Sequence, residues 1–202
     1  MEKHRYIGKT KDDAINKAKQ ELQEIEQNLI IREIKQEKSG LFKSAKIEIE
    51  VIEQRDVFVY IKEYLINILK KMGFKATVDY YVKEDIPIYD IYADNNALLI
   101  GKNGKNLKAL TYIVSSHIYK EIGKSFKFII DVNKYNEKRE ESLKRLAKKM
   151  AREVASTNIE VHLNYMNSYE RRIIHQFLSN DSKVYTESIG EEPHRYIVIK
   201  PR

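Results

Sequence analysis

The fold of the middle of this chain is decided by the stretch Ile100-Gly101-Lys102-Asn103-Gly104-Lys105. Two glycines bracket a Lys-Asn pair, an apolar run precedes them, and apolar residues at helical spacing follow. Glycine permits tight-turn torsions and the close approach of another backbone. The N–H groups at the start of the following helix favour an anion, and Lys102, Lys105 and Lys108 add positive charge. The stretch therefore suits a sugar-phosphate chain.

The elements around this loop are predicted to follow the order α-β-β-α-loop-α-β. A helix begins near Gln54 and ends before Gly73, residues 76–83 and 86–93 form two strands, and residues 126–132 form a third. A Gly-x-x-Gly loop between two helices, inside this order, resembles a type II KH domain over residues 57–133.

The KH resemblance implies that Gly101, Lys102, Asn103 and Gly104 clamp the backbone of about four single-stranded nucleotides. It also implies an apolar groove for the bases, with candidate walls at Leu98, Ile100, Leu107 and the second strand. The segment from Gly101 to Lys127 holds six lysines and one acid, which favours phosphate binding independently. The alternative is a glycine-rich helix connection without a ligand.

A second candidate site lies on a helix predicted from Ser168 to about Leu178. Arg171 and His175 are four residues apart and share one helix face. The string from Asn167 to Leu178 resembles the signature of the R-3-H domain, named for its Arg-x-x-x-His spacing, and Thr186–Arg195 fits that domain too.

The R-3-H resemblance implies binding of single-stranded nucleic acid or nucleotides. A guanidinium such as that of Arg171 binds phosphate through two hydrogen bonds, and His175 beside it can donate a hydrogen bond or stack on a base. Arg172 and Arg195 extend this candidate surface.

Enzymatic interpretations find little support in the sequence. The spacing of His162, His175 and His194 matches no metal-ligand pattern. An acid–base pair of His175 with Arg171 lacks a convincing base partner. We therefore predict no catalytic residue, no metal and no cofactor.

The N-terminal quarter is predicted to be a small β-α-β-β unit. Its helix opens at a capping pattern after Thr10, carries apolar residues up to Ile25 and is expected to end at Asn28. The following turn carries three candidate protein-contact residues, namely Gly40, Leu41 and Phe42. The alternative is that Phe42 folds back over the sheet.

Charge distinguishes the parts of this 202-residue chain. Residues 1–54 carry no net charge, whereas residues 55–133 and 134–202 are basic, with 12 basic against 9 acidic and 14 against 10 side chains. This excess favours a polyanionic partner. The sequence has no apolar run of membrane-spanning length, no apolar signal core and no cysteine. These features predict a cytoplasmic protein without membrane insertion.

The chain is thus predicted to be α+β, with three small modules. These are a β-α-β-β domain at 1–54, a type II KH domain at 55–133, and an R-3-H domain with helices on a three-stranded sheet at 134–202. Across its whole length the chain resembles the bacterial Jag family of RNA-binding proteins. Lys43 stands where that family's N-terminal turn usually ends in glycine, which leaves the role of that position open.

The resemblance implies a non-enzymatic protein that binds single-stranded RNA, with single-stranded DNA left open. It also implies a role in cell elongation, cell division or membrane-protein biogenesis. The alternative function is an adaptor that docks a protein partner through the N-terminal domain, with nucleic-acid binding secondary. A homodimer, or a heterodimer with another KH protein, is a further possibility.

Overall fold

The computed structural model describes residues 1–37 and 45–202. The chain forms two compact units, Met1–Asn133 and Lys134–Arg202. The described residues contain three three-stranded sheets with helices beside them, so the predicted multi-module α+β fold is confirmed. The candidate contact turn Gly40-Leu41-Phe42, together with Lys43, lies outside the described residues. The division of the first unit at residues 54 and 55 stays a prediction.

The N-terminal segment (residues 1–54) is a β-α-β-β unit. Its elements are β1 (His4–Gly8), α1 (Lys11–Leu22), β2 (Leu29–Glu37) and β3 (Lys46–Glu53). The strands are antiparallel in the order β1-β3-β2. Apolar side chains of α1 pack on the sheet, where Ala14, Ala18, Ile49 and Val51 are fully buried.

Helix α1 is shorter than its apolar spacing indicates, and the expected end at Asn28 is wrong. The helix ends at Leu22 because Gln23 takes a left-handed backbone conformation and donates its N–H to the Lys19 carbonyl. Ile25 lies beyond the helix and is 58% exposed. Since tertiary burial supplies most helical stability, an exposed Ile25 gives no reason for a further turn.

The KH segment (residues 55–133) has the predicted element order. Its elements are α2 (Gln54–Lys71), β4 (Ala76–Lys83), β5 (Ile86–Ala93), α3 (Asn96–Ile100), α4 (Lys105–Ile122) and β6 (Ile129–Val132). β5 lies between β4, to which it is antiparallel, and β6, to which it is parallel. Pairing with β6 begins at Ile88, so the missing N–H of Pro87 interrupts no contact with that strand.

The core of the KH segment holds α2 and α4 against its sheet. Ile61 and Leu65 of α2 and Val114 of α4 are fully buried beside the strands. Tyr89 of β5 is also fully buried, and its hydroxyl donates to the Phe58 carbonyl of α2 at 3.0 Å. Burial raises the pKa of this phenol, so it stays a neutral donor. The two helices thereby fix the position of the loop that precedes α4.

The N-terminal and KH segments contact each other directly. β3 ends at Glu53 and α2 begins at the next residue, so no linker separates them. The Lys3 ammonium donates to the Glu121 carbonyl near the end of α4 at 2.9 Å, where a cation complements the helix dipole. The Glu2 N–H donates to the Asp56 carboxylate at 3.0 Å. These contacts make the two segments one compact unit.

The R-3-H segment (residues 134–202) contains two helices and a three-stranded sheet. Its elements are α5 (Tyr135–Thr157), β7 (Val161–His162), α6 (Ser168–Leu178), β8 (Val184–Ile189) and β9 (Tyr196–Pro201). The sheet is antiparallel in the order β7-β9-β8. One face of it packs on both helices around the buried side chains of Ala147, Val154, Ile174, Ile197 and Ile199. In the described part of the chain, no helix is long and apolar enough to cross a membrane.

Candidate nucleic-acid interface

The KH loop (Gly101–Gly104) connects α3 to α4 through a backbone that only glycine tolerates at its first position. Gly101 has φ 72° and ψ 175°, a combination that is costly for other residues. A Cβ at Gly101 would also lie 2.6 Å from the Asn106 side chain. The Gly104 N–H donates to the Gly101 carbonyl at 3.2 Å and closes the loop.

Asn106 is a positioning residue that the sequence patterns do not single out. Its side-chain amide donates to the Leu98 carbonyl at 2.8 Å. This bond joins the first turn of α4 back to α3 and holds the two ends of the KH loop together. An amide one residue after the Gly-x-x-Gly-Lys string is the only sequence signal of this role.

The predicted phosphate-binding lysines surround the loop. Lys102 in the loop and Lys105 and Lys108 in the first turn of α4 are all exposed, as is Asn103. The single acid of this stretch, Glu121, lies at the other end of α4 and contacts Lys3. The loop therefore presents a concentrated positive charge at the start of a helix, where backbone N–H groups also favour anions.

The residues predicted to line the apolar groove differ in their solvent exposure. Leu98 of α3 is 59% exposed and offers an apolar surface next to the KH loop. Leu107 is only 5% exposed and belongs to the core of the KH segment. Leu107 is therefore not a surface for bases, and its apolar character is explained by core packing.

The start of α6 is fixed by a reciprocal cap. The Asn167 side chain accepts the Glu170 N–H at 3.0 Å, and the Glu170 carboxylate accepts the Asn167 N–H at 3.2 Å. Glu170 is buried and also accepts the Arg139 Nε–H of α5 at 2.7 Å. This network sets the position of Arg171, the next residue.

Arg171 is buried, although its sequence context predicts a surface group. It is 7% exposed, and its Nη1 donates to the Met166 carbonyl at 2.7 Å. Its Nη2 lies 3.0 Å from a Glu192 carboxylate oxygen. Glu192 thus occupies one side of the guanidinium, and a phosphate bound through two hydrogen bonds would have to displace it.

His175 lies one turn further along α6 and is half-buried. Its Nδ1 lies within hydrogen-bond distance of the Thr186 hydroxyl of β8, at 2.5 Å. Burial, and secondly the positive charge of Arg171, lower the pKa of His175 below its ordinary value. The imidazole is therefore neutral at pH 7, with one nitrogen as donor and the other as acceptor.

The two remaining arginines of the candidate site differ in environment. Arg172 is exposed on α6. Arg195 is half-buried and donates from Nε to the Ser188 hydroxyl at 3.0 Å. Arg195 and Arg171 share a neighbour, because the Met166 N–H donates to the Arg195 carbonyl at 3.1 Å while the Met166 carbonyl accepts from Arg171. The fold thereby brings Arg171 of α6 and Arg195, which directly precedes β9, to one place.

The remaining histidines of this segment contact other partners. His162 lies 2.8 Å from the Glu160 carboxylate, and this hydrogen bond lowers the pKa of the Glu160 carboxyl. His194 packs edge-on against Tyr165, with ring centres 5.1 Å apart. Among the residues that the structure describes, no group of three or more histidine or carboxylate side chains could hold a metal ion.

Comparisons with known proteins agree with this architecture. Residues 141–201 match the R-3-H domain family. The RNA-binding protein KhpB of Clostridium symbiosum is 34% identical over 196 residues, which cover 95% of this chain and 88% of that protein. KhpB of Bacillus subtilis (strain 168) is 30% identical over 197 residues, or 95% of each chain. KhpB of Lactiplantibacillus plantarum is 34% identical over 140 residues, or 69% of this chain and 44% of that protein.

The fold and the domain match define a multi-module α+β protein that carries an R-3-H domain. The similarity to the KhpB proteins covers nearly the whole chain and therefore identifies the family. The chain belongs to the Jag family, whose members in these comparisons are the RNA-binding proteins named KhpB.

Proposed function

We propose that this protein binds single-stranded RNA and catalyses no reaction. The observation that carries the proposal is the KH loop, where Gly101 and Gly104 hold a backbone turn among exposed lysines at the start of α4. Relatives covering nearly the whole chain are RNA-binding proteins, and the R-3-H match lies over the second basic segment. Both findings support a nucleic-acid partner.

The KH loop binds the strand by its backbone. Lysine side chains and backbone N–H groups contact phosphate and sugar, which fixes the register of the strand without distinguishing its bases. The exposed Leu98 beside the loop provides an apolar surface for an unstacked base. Contacts of this kind are compatible with RNA and with single-stranded DNA.

The R-3-H segment provides a second contact on the same strand, made by Arg171, Arg172, His175 and Arg195. Once the KH loop has bound, the second contact forms at a raised effective concentration. The segment's excess of four positive charges supports this contact. The proposal does not require Arg171 to be exposed in the free protein, since a phosphate can replace the carboxylate of Glu192.

The test of this function replaces Lys102 and Asn103 by aspartates in the full chain. Fluorescence anisotropy with a labelled single-stranded RNA should show affinity lower by about tenfold or more, which corresponds to ~1.4 kcal/mol. The matched control is Asn67→Asp with Lys71→Asp, which makes the same charge change at exposed positions of α2. Unfolding midpoints of all three proteins check the fold. Full binding by the loop variant, also when Arg171→Ala is added, would contradict the proposal.

A protein partner is favoured by the outer face of α4. Tyr112 is 74% exposed, Tyr119 57% and Ile113 45%, which is unusual for side chains of this size. Exposed tyrosines and apolar side chains of this kind are enriched at protein interfaces. We propose that a second KH domain pairs through this face, either from another copy of the chain or from another KH protein.

The cellular role implied by the family resemblance is regulation of cell elongation, cell division or membrane-protein biogenesis. It remains a proposal here, as does the adaptor function of the N-terminal domain. The observation in favour of protein contacts is the exposed face of α4, whereas the turn at Gly40, Leu41 and Phe42 lies outside the described residues.

A further inference from the structure

Four aromatic rings form a connected row in the R-3-H segment, outside the contacts proposed above. His162 stacks on Tyr196 with ring centres 5.6 Å apart and planes inclined by 28°. Tyr196 lies 5.9 Å from Tyr165, and Tyr165 meets His194 edge-on at 5.1 Å. We call His162, Tyr196, Tyr165 and His194 the aromatic row.

Two members of the aromatic row, Tyr196 and His162, lie on the sheet face opposite the core, and the other two lie in the adjoining loops. Ile197 and Ile199 of β9 point into the core, so the alternating Tyr196 lies on the other face. His162 is paired with Val198 and shares that outer face. Tyr165 is 56% exposed, and both histidines are exposed as well. Rings at these positions are available to a ligand.

The aromatic row adjoins Arg171 and Arg195 of the R-3-H segment. Tyr165 directly precedes Met166, whose carbonyl accepts from Arg171 and whose N–H donates to the Arg195 carbonyl. His194 and Tyr196 are the two chain neighbours of Arg195. A strand whose phosphates reach these arginines therefore passes beside the rings.

Two glutamates reduce the positive charge beside Arg171, so binding here is expected to include contacts other than those to phosphate. Glu192 neutralises part of the charge of Arg171, and Glu191 next to it is exposed. Attraction for phosphate is thus weaker here than the count of arginines indicates. Stacking of bases on aromatic rings needs no net charge and contributes substantially to single-strand binding.

We infer that the aromatic row is a stacking surface for unpaired nucleobases of the strand bound by this protein. Tyr165, with more than half of its surface exposed, is the central contact, and His194 beside it extends the surface. The inference rests on the proposed function and adds to it the part of the R-3-H segment that contacts bases rather than phosphates. Rings with polar rims beside cations match the chemistry of nucleobases better than an aliphatic surface does.

The test uses the full chain with Tyr165→Leu and His194→Leu combined, and two strands of equal length. One is a single-stranded oligonucleotide with bases, and the other is its abasic counterpart, which keeps the phosphates. Affinity for the strand with bases should fall roughly 5- to 100-fold, as loss of one stacked base implies, while binding of the abasic strand stays unchanged. The variant Tyr165→Phe with His194→Phe keeps the rings and should retain affinity.

The matched control is Tyr169→Leu, which removes a 61% exposed tyrosine of the same segment outside the row. It should bind both strands like the unaltered protein. Equal loss on both strands, or full binding of the strand with bases by the leucine variant, overturns the inference. If that full binding is accompanied by weak binding of the Lys102→Asp, Asn103→Asp variant, the proposed function survives. If the unaltered protein binds neither strand, both proposals are wrong.

Discussion

At the residue scale, the candidate R-3-H site contains an ion pair between Arg171 and Glu192. Its two members have very different environments, since the side chain of Arg171 is 8% exposed and that of Glu192 61%. The arginine is anchored by the Met166 carbonyl, whereas the glutamate can turn toward solvent. A phosphate that approaches Arg171 therefore competes with an intramolecular anion.

This competition predicts that Glu192→Gln strengthens binding of single-stranded RNA. An amide does not compete with phosphate as a carboxylate does, and one negative charge near the strand is removed. We expect affinity to rise roughly threefold to tenfold at low salt and the gain to shrink as salt screens the charges. Anisotropy titrations at several salt concentrations measure both the gain in affinity and its dependence on salt.

Glu191→Gln is the control for Glu192→Gln. Glu191 is the exposed chain neighbour of Glu192, whereas the carboxylate paired with Arg171 is that of Glu192, so removal of Glu191 reports the general effect of one negative charge. An equal gain in both variants would show that Glu192 does not compete for Arg171. A loss of affinity in Glu192→Gln would show that the carboxylate holds the arginine in its binding position.

The sequence predicts the residues of this candidate site but not their environment. Arg171 and His175 follow from helical spacing and a known signature, because side chains four residues apart share a helix face. The burial of Arg171 depends on Met166 and on Glu192, which the chain brings in from other elements. Asn106 escaped prediction for the same reason, since its role requires the carbonyl of Leu98 eight residues earlier.

At the element scale, α4 has two different faces and is proposed to make a different contact with each. Val114 and Ile118 are buried against the KH core, and the start of the helix directly follows the KH loop, the proposed anion-binding site. Tyr112 and Tyr119, seven residues apart, lie on its exposed side. The proposed RNA contact at the first turn and the proposed pairing surface on the outer face therefore do not overlap.

This arrangement predicts that Ile113→Glu abolishes pairing without unfolding the protein. Ile113 is 45% exposed, so a carboxylate there is solvated in the monomer and becomes costly only when a partner covers it. Sedimentation or light scattering should show the unaltered chain as a dimer and the variant as a monomer, and circular dichroism should show the same secondary structure in both. Ser115→Glu is the control, because it makes the same charge change at an exposed position two residues further along α4, which does not face the same way as Ile113. A monomeric unaltered chain would contradict self-pairing and leave pairing with another KH protein.

Element boundaries follow from the sequence where local patterns and burial agree. β4 and β5 begin and end at the predicted residues, 76–83 and 86–93, because alternation and a polar turn mark both ends. α1 ends before its predicted boundary because Ile25 matches the helical spacing but finds no core to pack against. Apolar spacing shows where a side chain could be buried, whereas the rest of the fold decides whether it is.

At the scale of the whole molecule, the positive charge is divided between two compact units. The KH segment contributes an excess of three and the R-3-H segment an excess of four, whereas the N-terminal segment is neutral. The unit boundary at Asn133 and Lys134 lies between the two proposed nucleic-acid contacts along the chain. If each proposed contact covers only a few phosphates, one strand that engages both should bind more strongly than a strand held at one.

Engagement of both contacts predicts a strong dependence of affinity on strand length. A strand of about four nucleotides fills the KH loop alone, whereas a strand several times longer reaches the second contact at high effective concentration. The longer strand should bind roughly a hundredfold more tightly, and the slope of log affinity against log salt should be steeper by about 0.7 for each added phosphate contact.

The variants separate this effect from the simple increase in binding positions along a longer strand. Lys102→Asp with Asn103→Asp disables the first contact, and Arg172→Ala with Arg195→Ala weakens the second. Either change should remove most of the length dependence and lower the salt slope, because a strand held at one contact gains only additional positions. If the length dependence persists undiminished in both variants, the two contacts do not act on the same strand. A strand held at two contacts must lose its advantage when either contact is disabled.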